Sequence, residues 1–134
     1  MNAVDTNVLL YAHDPRDPRK REIATELIAS LTDGVLIWQV ACEYLAASRK
    51  LEGYRYSRTQ AFGDVGELRI WWATAVPGWA VFDQAEELRL RLSLSSWDAL
   101  LVAACLDAGI SRLYSEDLQA GLRIGGLEIV NPFA

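Results

Sequence analysis

Apolar positions in this chain fall into compact blocks separated by turn residues. Over Arg19–Leu31, Ile23, Leu27 and Leu31 recur every four residues with Ala24 and Ile28 beside them, the period of an amphipathic helix. Asp33-Gly34 follows as a helix stop. The same period places Ala61, Val65, Leu68, Trp72 and Ala75 on one face of a helix over Ser57–Ala75. Gln39–Lys50, Gln84–Leu92 and Trp97–Ala108 read as further helices, the last almost wholly apolar and ending at Gly109. Between them lie short runs that read as strands: Asn2–Asp5, Val35–Trp38, Trp79–Phe82, Arg112–Ser115 and Leu127–Val130. The apolar runs do not alternate with polar residues, the pattern of strands covered on both faces in a parallel sheet.

Strands alternating with helices predict right-handed crossovers and a three-layer α/β/α sandwich with a central, mostly parallel sheet. The 134 residues, 51% of them hydrophobic, fit a single domain over 1–134 with a full core. No repeat, low-complexity tract or linker interrupts it. No uncharged apolar run approaches the ~18 residues of a membrane span, and the Met-Asn-Ala-Val-Asp start shows no export leader, so no membrane association and a cytoplasmic location are expected. Cys42 and Cys105 sit in apolar helical patterns and are expected to be buried free thiols. With His13 they do not make a tetrahedral zinc site.

In such sheets ligands bind beyond the carboxyl ends of the strands, and carboxylates gather there. Asp5 ends the first strand, and Asp117 lies two residues past Arg112–Ser115. Asp98 occupies the first turn of the apolar helix, and Glu43 lies on a small, mostly apolar helix face. Each has an ordinary reading too: Asp5 as a turn or cap residue, Glu43 as a solvated helix residue, Asp98 as part of a Ser95-x-x-Asp98 cap, Asp117 as the cap of a short helix. Together they predict one acidic pocket. Two carboxylates about 5 Å apart repel by about 3 kcal/mol at an effective dielectric of ~20, so four together call for a hard divalent cation. All-oxygen ligation favours Mg²⁺ or Mn²⁺, one ion or two, which suits phosphodiester hydrolysis.

Net charge is −5, with 18 acidic against 13 basic residues. That argues against a general nucleic-acid coat but not against a local metal site. The basic residues cluster in two runs, Arg16, Arg19, Lys20 and Arg21, and Arg49, Lys50, Arg55 and Arg58, the second interleaved with Tyr54 and Tyr56. Solvated helix surface accounts for either run. So does contact with RNA, with the tyrosines stacking on bases, or with a protein partner. Of the adjacent Trp71 and Trp72, one should be exposed, because neighbours on a helix do not share a face.

Four stretches carry a resemblance. They are Val4-Asp5-Thr6-Asn7-Val8-Leu9-Leu10-Tyr11-Ala12, Gln39-Val40-Ala41-Cys42-Glu43-Tyr44, Ser96-Trp97-Asp98-Ala99-Leu100-Leu101-Val102-Ala103-Ala104 and Leu113-Tyr114-Ser115-Glu116-Asp117-Leu118-Gln119-Ala120-Gly121. In these the chain resembles PIN-domain nucleases, specifically the VapC-like toxins of type II toxin–antitoxin modules, over nearly its whole length. The resemblance implies a PIN-like fold and an endoribonuclease that uses Asp5, Glu43, Asp98 and Asp117 to bind Mg²⁺ or Mn²⁺. Asn7 and Ser115 match positions that assist the metal shell. Thr6 and Glu116 stand beside them, and Glu116 competes for the role of Asp117. It further implies an RNA substrate, a cognate antitoxin and a homodimer, with Arg16, Arg19, Lys20, Arg21, Arg49 and Lys50 as candidate RNA or antitoxin contacts. A non-toxin PIN nuclease and a PIN-like module acting by binding alone stay open. A phosphohydrolase of the Asp-x-Asp type lacks its second acid at Asn7, and a dinucleotide-binding domain lacks glycines after the first strand.

Overall fold

The computed structural model describes residues 1–134. The chain runs β1 (Asn2–Val4), α1 (Thr6–Tyr11), α2 (Pro18–Ser30), β2 (Val35–Ile37), α3 (Trp38–Ala47), a 3₁₀ helix (Ser48–Tyr54), α4 (Arg58–Trp71), β3 (Ala73–Ala75), α5 (Trp79–Leu92), α6 (Ser96–Asp107), β4 (Arg112–Tyr114), β5 (Arg123–Ile124) and β6 (Leu127–Val130). Strands β1, β4, β6 and β5 form one sheet in that order, and β2 pairs with β3 in a second. All pairs are parallel except β5–β6. A single parallel bridge from Asn2 to Gly34 joins the two sheets, helped by Asn2 Nδ2 donating to Asp33 Oδ1 at 2.7 Å.

The sheet is the apolar centre. Ala3, Val4, all of β2, Leu113, Leu127 and Ile129 are buried in it. Each large aliphatic side chain so buried contributes about 1.5–3 kcal/mol relative to exposure. Helix α1 packs on α2 and α3, α3 on α4, and α5 on α6, which gives the sheet its helical cover. Helix α6 buries Ala99, Leu101, Val102, Ala103, Ala104 and Cys105, as its apolar sequence requires. No helix is long and apolar enough to cross a membrane.

Strand order locates the functional edge. From β1 the chain moves outward to β2 and β3, then crosses to the other side of β1 for β4 and β6. The order therefore reverses between β1 and β4. A crevice opens beyond the carboxyl ends of neighbouring parallel strands at such a point.

Four expectations need correction. Trp79–Phe82 is not a strand but the first turn of α5. Its aromatic residues suggest a strand, yet Val81, Ala85 and Leu88 are the buried positions, at helical spacing, while Trp79 and Phe82 face solvent. Conversely, α4 stops at Trp71 and Ala73–Ala75 forms β3, because the chain turns extended at Trp72 to lie beside β2. Helix α3 ends at Ala47, and its expected last turn is 3₁₀. Cys42 is exposed on α3 rather than buried. Cys105 is buried, and burial pushes its thiol up to about 12. The short strand β5 has no counterpart among the expected strands, although Gly125-Gly126 between Ile124 and Leu127 is the glycine pair that a two-residue hairpin favours. Of the tryptophan pair, Trp71 is exposed and Trp72 buried, although Trp72 lies just past the helix in extended backbone.

Gly34 is not a left-handed helix cap; α2 ends with Leu31 in extended backbone. Its lack of a side chain serves a close approach instead. A Cβ there would collide with the Trp72 indole, whose Nε1 donates to the Leu31 carbonyl at 3.2 Å. Gly34→Ala is therefore expected to destabilise the fold by about 1–3 kcal/mol through overpacking. Urea denaturation checks this, and an unshifted midpoint would contradict the packing argument.

Candidate active site

The crevice at the β1–β4 switch point is a cleft of about 380 Å³ whose lining includes Asp5, Glu43, Asp98 and Asp117. The four come from four separate segments, and each has a local reason for its position. Asp5 follows β1 and caps α1. Its Oδ1 accepts the Thr6 N–H at 2.7 Å, and its own N–H donates to the Tyr114 carbonyl at 2.8 Å. Its Oδ2 accepts the Ser115 hydroxyl at 2.8 Å. Asp5 is only 7% exposed, and that burial raises its carboxyl above the ordinary 3.8. The bonds from Ser115 and Thr6 oppose the rise, while the charges of Glu43 and Asp117 add to it.

Glu43 faces the cleft from α3. Its Oε2 accepts from Thr6 Oγ1 at 3.0 Å and its Oε1 from Gln39 Nε2 at 2.9 Å. Gln39 Nε2 also donates to the Trp97 carbonyl at 3.0 Å, which ties α3 to the start of α6. Asp98 arrives on the first turn of α6. The Ser95 hydroxyl accepts the Asp98 N–H at 3.1 Å, but the Ser95 N–H does not donate back to the Asp98 carboxylate. Its side chain is therefore not spent on the cap. Asp117 lies past β4 in a bend, not at a helix start, and its Oδ2 accepts from Asn7 Nδ2 at 3.0 Å. Ser115, fully buried, accepts the N–H groups of Asp117 and Leu118 through its hydroxyl oxygen at 3.2 and 3.3 Å.

Glu116 lines the same cleft but is already paired. Lys20 Nζ donates to its Oε2 at 2.6 Å and the Tyr11 hydroxyl to its Oε1 at 2.8 Å. The Lys20 ammonium holds this carboxyl below the usual carboxylate range. Asp14 is a further lining carboxylate, spent on Arg16: Nε and Nη2 reach its two oxygens at 2.9 and 2.8 Å. Glu116 and Asp14 are thus each paired with a cation, whereas the other four acids are not.

The basic residues divide. Arg16 and Lys50 line the cleft, and Lys20 touches it through Glu116. Arg19 donates to the Phe133 carbonyl at 2.9 Å, Arg21 faces a neighbouring pocket, and Arg49 is exposed. Tyr56 is buried, its hydroxyl donating to Asp64 Oδ2 at 2.5 Å, so it presents no face to a base; Tyr54 does. Gln39, Asp14 and Tyr11 are site residues that the sequence reading missed. Gln39 carries a usable signal, since it lies one helical turn before Glu43.

The donor set fits a hard cation. It is all oxygen, two of its members carry supporting donors on both carboxylate oxygens, and the crowding shows in the raised Asp5 carboxyl. No three His, Cys, Asp or Glu side chains close into a cage by themselves. A hard cation here would need the rest of its ligands from water or a substrate phosphate.

A family model described as the PIN domain matches residues 3–121. Three solved structures are similar over nearly their full length. VapC20 of Mycobacterium tuberculosis, described as a sarcin–ricin loop cleaving toxin, shares 21% identity with a TM-score of 0.69, covering 87% of this chain and 90% of that one. A toxin–antitoxin complex from Klebsiella pneumoniae shares 16% identity at 0.70, covering 98% of both chains. VapBC2 from Rickettsia felis, bound to a DNA fragment from its promoter, shares 16% at 0.67, covering 96% of both. These likenesses show a common fold. No curated protein matches the sequence. The family match spans all four motif stretches and the whole acidic cleft, and the chain belongs to the PIN-domain family.

Proposed function

We propose that this PIN-domain protein is a Mg²⁺- or Mn²⁺-dependent endoribonuclease that hydrolyses RNA phosphodiester bonds as the toxin of a toxin–antitoxin pair. One observation carries the catalytic part: four carboxylates from four segments line one cleft at the switch point of the sheet, and none of the four is paired with a cation. Asp5, Glu43, Asp98 and Asp117 would hold a divalent ion together with water or substrate oxygens, and the ion would supply the Lewis acidity that activates water and offsets charge on a phosphodiester.

The chain's own groups set the geometry. Thr6 and Ser115 fix the two oxygens of Asp5, Thr6 and Gln39 fix Glu43, and Asn7 fixes Asp117. The Asp98 carboxylate has no such anchor. Lys50 at the lining, which pairs with no carboxylate, opposes the charge of an entering phosphate.

The toxin part is supported by the company the fold keeps, structures described as a cleaving toxin and as toxin–antitoxin assemblies. A groove of about 670 Å³, lined by Leu9, Ile28, Leu31, Val65, Leu68 and the exposed Trp71, suits the apolar face of an antitoxin segment.

Labelled single-stranded RNA is expected to be cut in Mg²⁺ or Mn²⁺ and left intact in EDTA. Asp98→Asn should lower cleavage by at least about a hundredfold with the fold retained, as loss of a metal ligand should cost no less than loss of a ligand's supporting partner. Wild-type cleavage by this variant, or cleavage in EDTA, would remove the metal reading. An intact protein that binds RNA or antitoxin but never cuts would favour the binding module.

Asp5 adds a pH test. Its folded carboxyl titrates above its unfolded value, so the folded state holds the extra proton between the two. Stability therefore falls as pH rises through that window, and the ionised group is a standing burden above it. Asp5→Asn should abolish cleavage yet unfold no earlier than wild type in metal-free buffer at neutral pH. Its stability should also lose less between about pH 4 and pH 7. Thermal unfolding across that range decides, and marked destabilisation of the variant would mean that the carboxylate is mainly structural.

A further inference from the structure

We propose that a second pocket, lined by Arg21, Tyr54, Arg55 and Gln60, binds the phosphate and base of the nucleotide flanking the scissile bond in single-stranded RNA; this rests on the nuclease reading above. The pocket measures about 370 Å³ and opens beside the acidic cleft. Its wall is shared. Arg16, clamped by Asp14 in the cleft, lies over the Tyr54 ring at 5.1 Å, and Tyr54 lines the second pocket. Lys50, in the same 3₁₀ helix as Tyr54, lines the cleft. A strand whose phosphodiester sits among the carboxylates therefore runs past Lys50 and Arg16 into this pocket.

The charge argument is independent of that route. Six of the eleven arginines are engaged, Arg16 with Asp14, Arg58 with Glu52, Arg89 with Glu86, Arg123 with Glu128, Arg19 with the Phe133 carbonyl and Arg112 with the Tyr114 hydroxyl, which leaves Arg21, Arg49, Arg55, Arg69 and Arg91. The guanidinium groups of Arg21 and Arg55 make no hydrogen bond or ion pair, yet both face this one pocket from different elements. The pocket also holds one carboxylate, Asp64, which accepts from the Tyr56 hydroxyl at 2.5 Å and lies 3.5 Å from His13 Nε2, so its two guanidinium groups face a single acid. Two unpaired guanidinium groups sharing a pocket are matched by a phosphate, which takes planar, paired N–H donors.

Two further features supply the rest of a nucleotide site. Tyr54 is 46% exposed and leaves ring surface for a base. Gln60 Oε1 accepts the Ser57 N–H at 2.8 Å, so its amide nitrogen remains free to donate. The backbone at Arg55 adds a third sign. It is left-handed, with φ 67, at the end of the 3₁₀ helix, a conformation that glycine adopts more readily. Arginine there is a poor choice for folding, which points to a use for its side chain.

The test uses the full chain, a fluorescein-labelled ten-nucleotide single-stranded RNA and anisotropy in Ca²⁺, with cleavage followed separately in Mg²⁺. Replacing both guanidinium groups (Arg21→Gln with Arg55→Gln) should weaken binding roughly tenfold or more, the scale expected when hydrogen bonds to a charged group are removed. KM should rise in step with kcat little changed, and the dependence of log affinity on log salt should flatten by about 0.7 for each phosphate no longer neutralised. Tyr54→Ala should weaken binding without moving the salt slope. Arg55→Gly should weaken binding while unfolding no earlier than wild type, which a purely structural arginine would not permit. Wild-type binding by the double variant overturns the proposal, including the case in which that variant instead loses a protein partner. If wild type never cuts RNA but the double variant still loses binding, the nuclease reading fails and the pocket assignment stands. If wild type cuts and the double variant matches it in KM and salt slope, only the pocket assignment fails.

Discussion

At the carboxylate of Asp5 a strand end, a helix cap and the acidic cleft meet. This carboxylate lies almost out of solvent at the carboxyl end of β1, without a cation beside it. A desolvated charge survives only if its lone pairs are met. Here the Thr6 N–H and the Ser115 hydroxyl meet them, one from the start of α1 and the other from the end of β4. The parallel register Val4↔Tyr114 brings those two strand ends level. Ser115 in turn caps the bend that carries Asp117. Strand pairing, helix capping and the acidic cleft are thus one construction, with no cationic side chain beside its carboxylate.

The net charge of −5 looks unpromising for contact with RNA until the charges are located. Glu116 and Asp14 are neutralised within the site by Lys20 and Arg16. Four acids without a cation partner line one cleft, and two arginines without an acid partner line the pocket next to it. Overall sign is then a weak guide to partners, because the short-range field at each pocket differs from the average over the surface.

Much of this architecture is legible from local pattern. The helices that bury one face show their period plainly, as α2 and the first part of α4 do, and short apolar runs mark β1, β2, β4 and β6. What fails are segments whose residue types and burial period disagree. Trp79-Ala-Val-Phe82 has strand-like residues, but only Val81 finds the core, so packing against α6 decides for helix. Trp72 sits in helical phase with Leu68, but its indole is claimed by Gly34 and the Leu31 carbonyl, and the chain leaves the helix there. In the site, acids at strand ends can be read because sheet topology dictates where they go. The polar partners cannot, since Gln39, Asp14 and Tyr11 owe their positions to side-chain contacts with other residues of the cleft.

The two cysteines differ in a way that has practical weight. Cys105 is sealed beneath the sheet, its sulfur kept protonated by burial, while Cys42 stands in solvent one residue before Glu43. Thiol-directed reagents will consequently mark the folded molecule at a single address, on the outward side of the helix that carries one of the cleft's acids. A spin or fluorescent label attached there would watch the cleft fill without touching its lining.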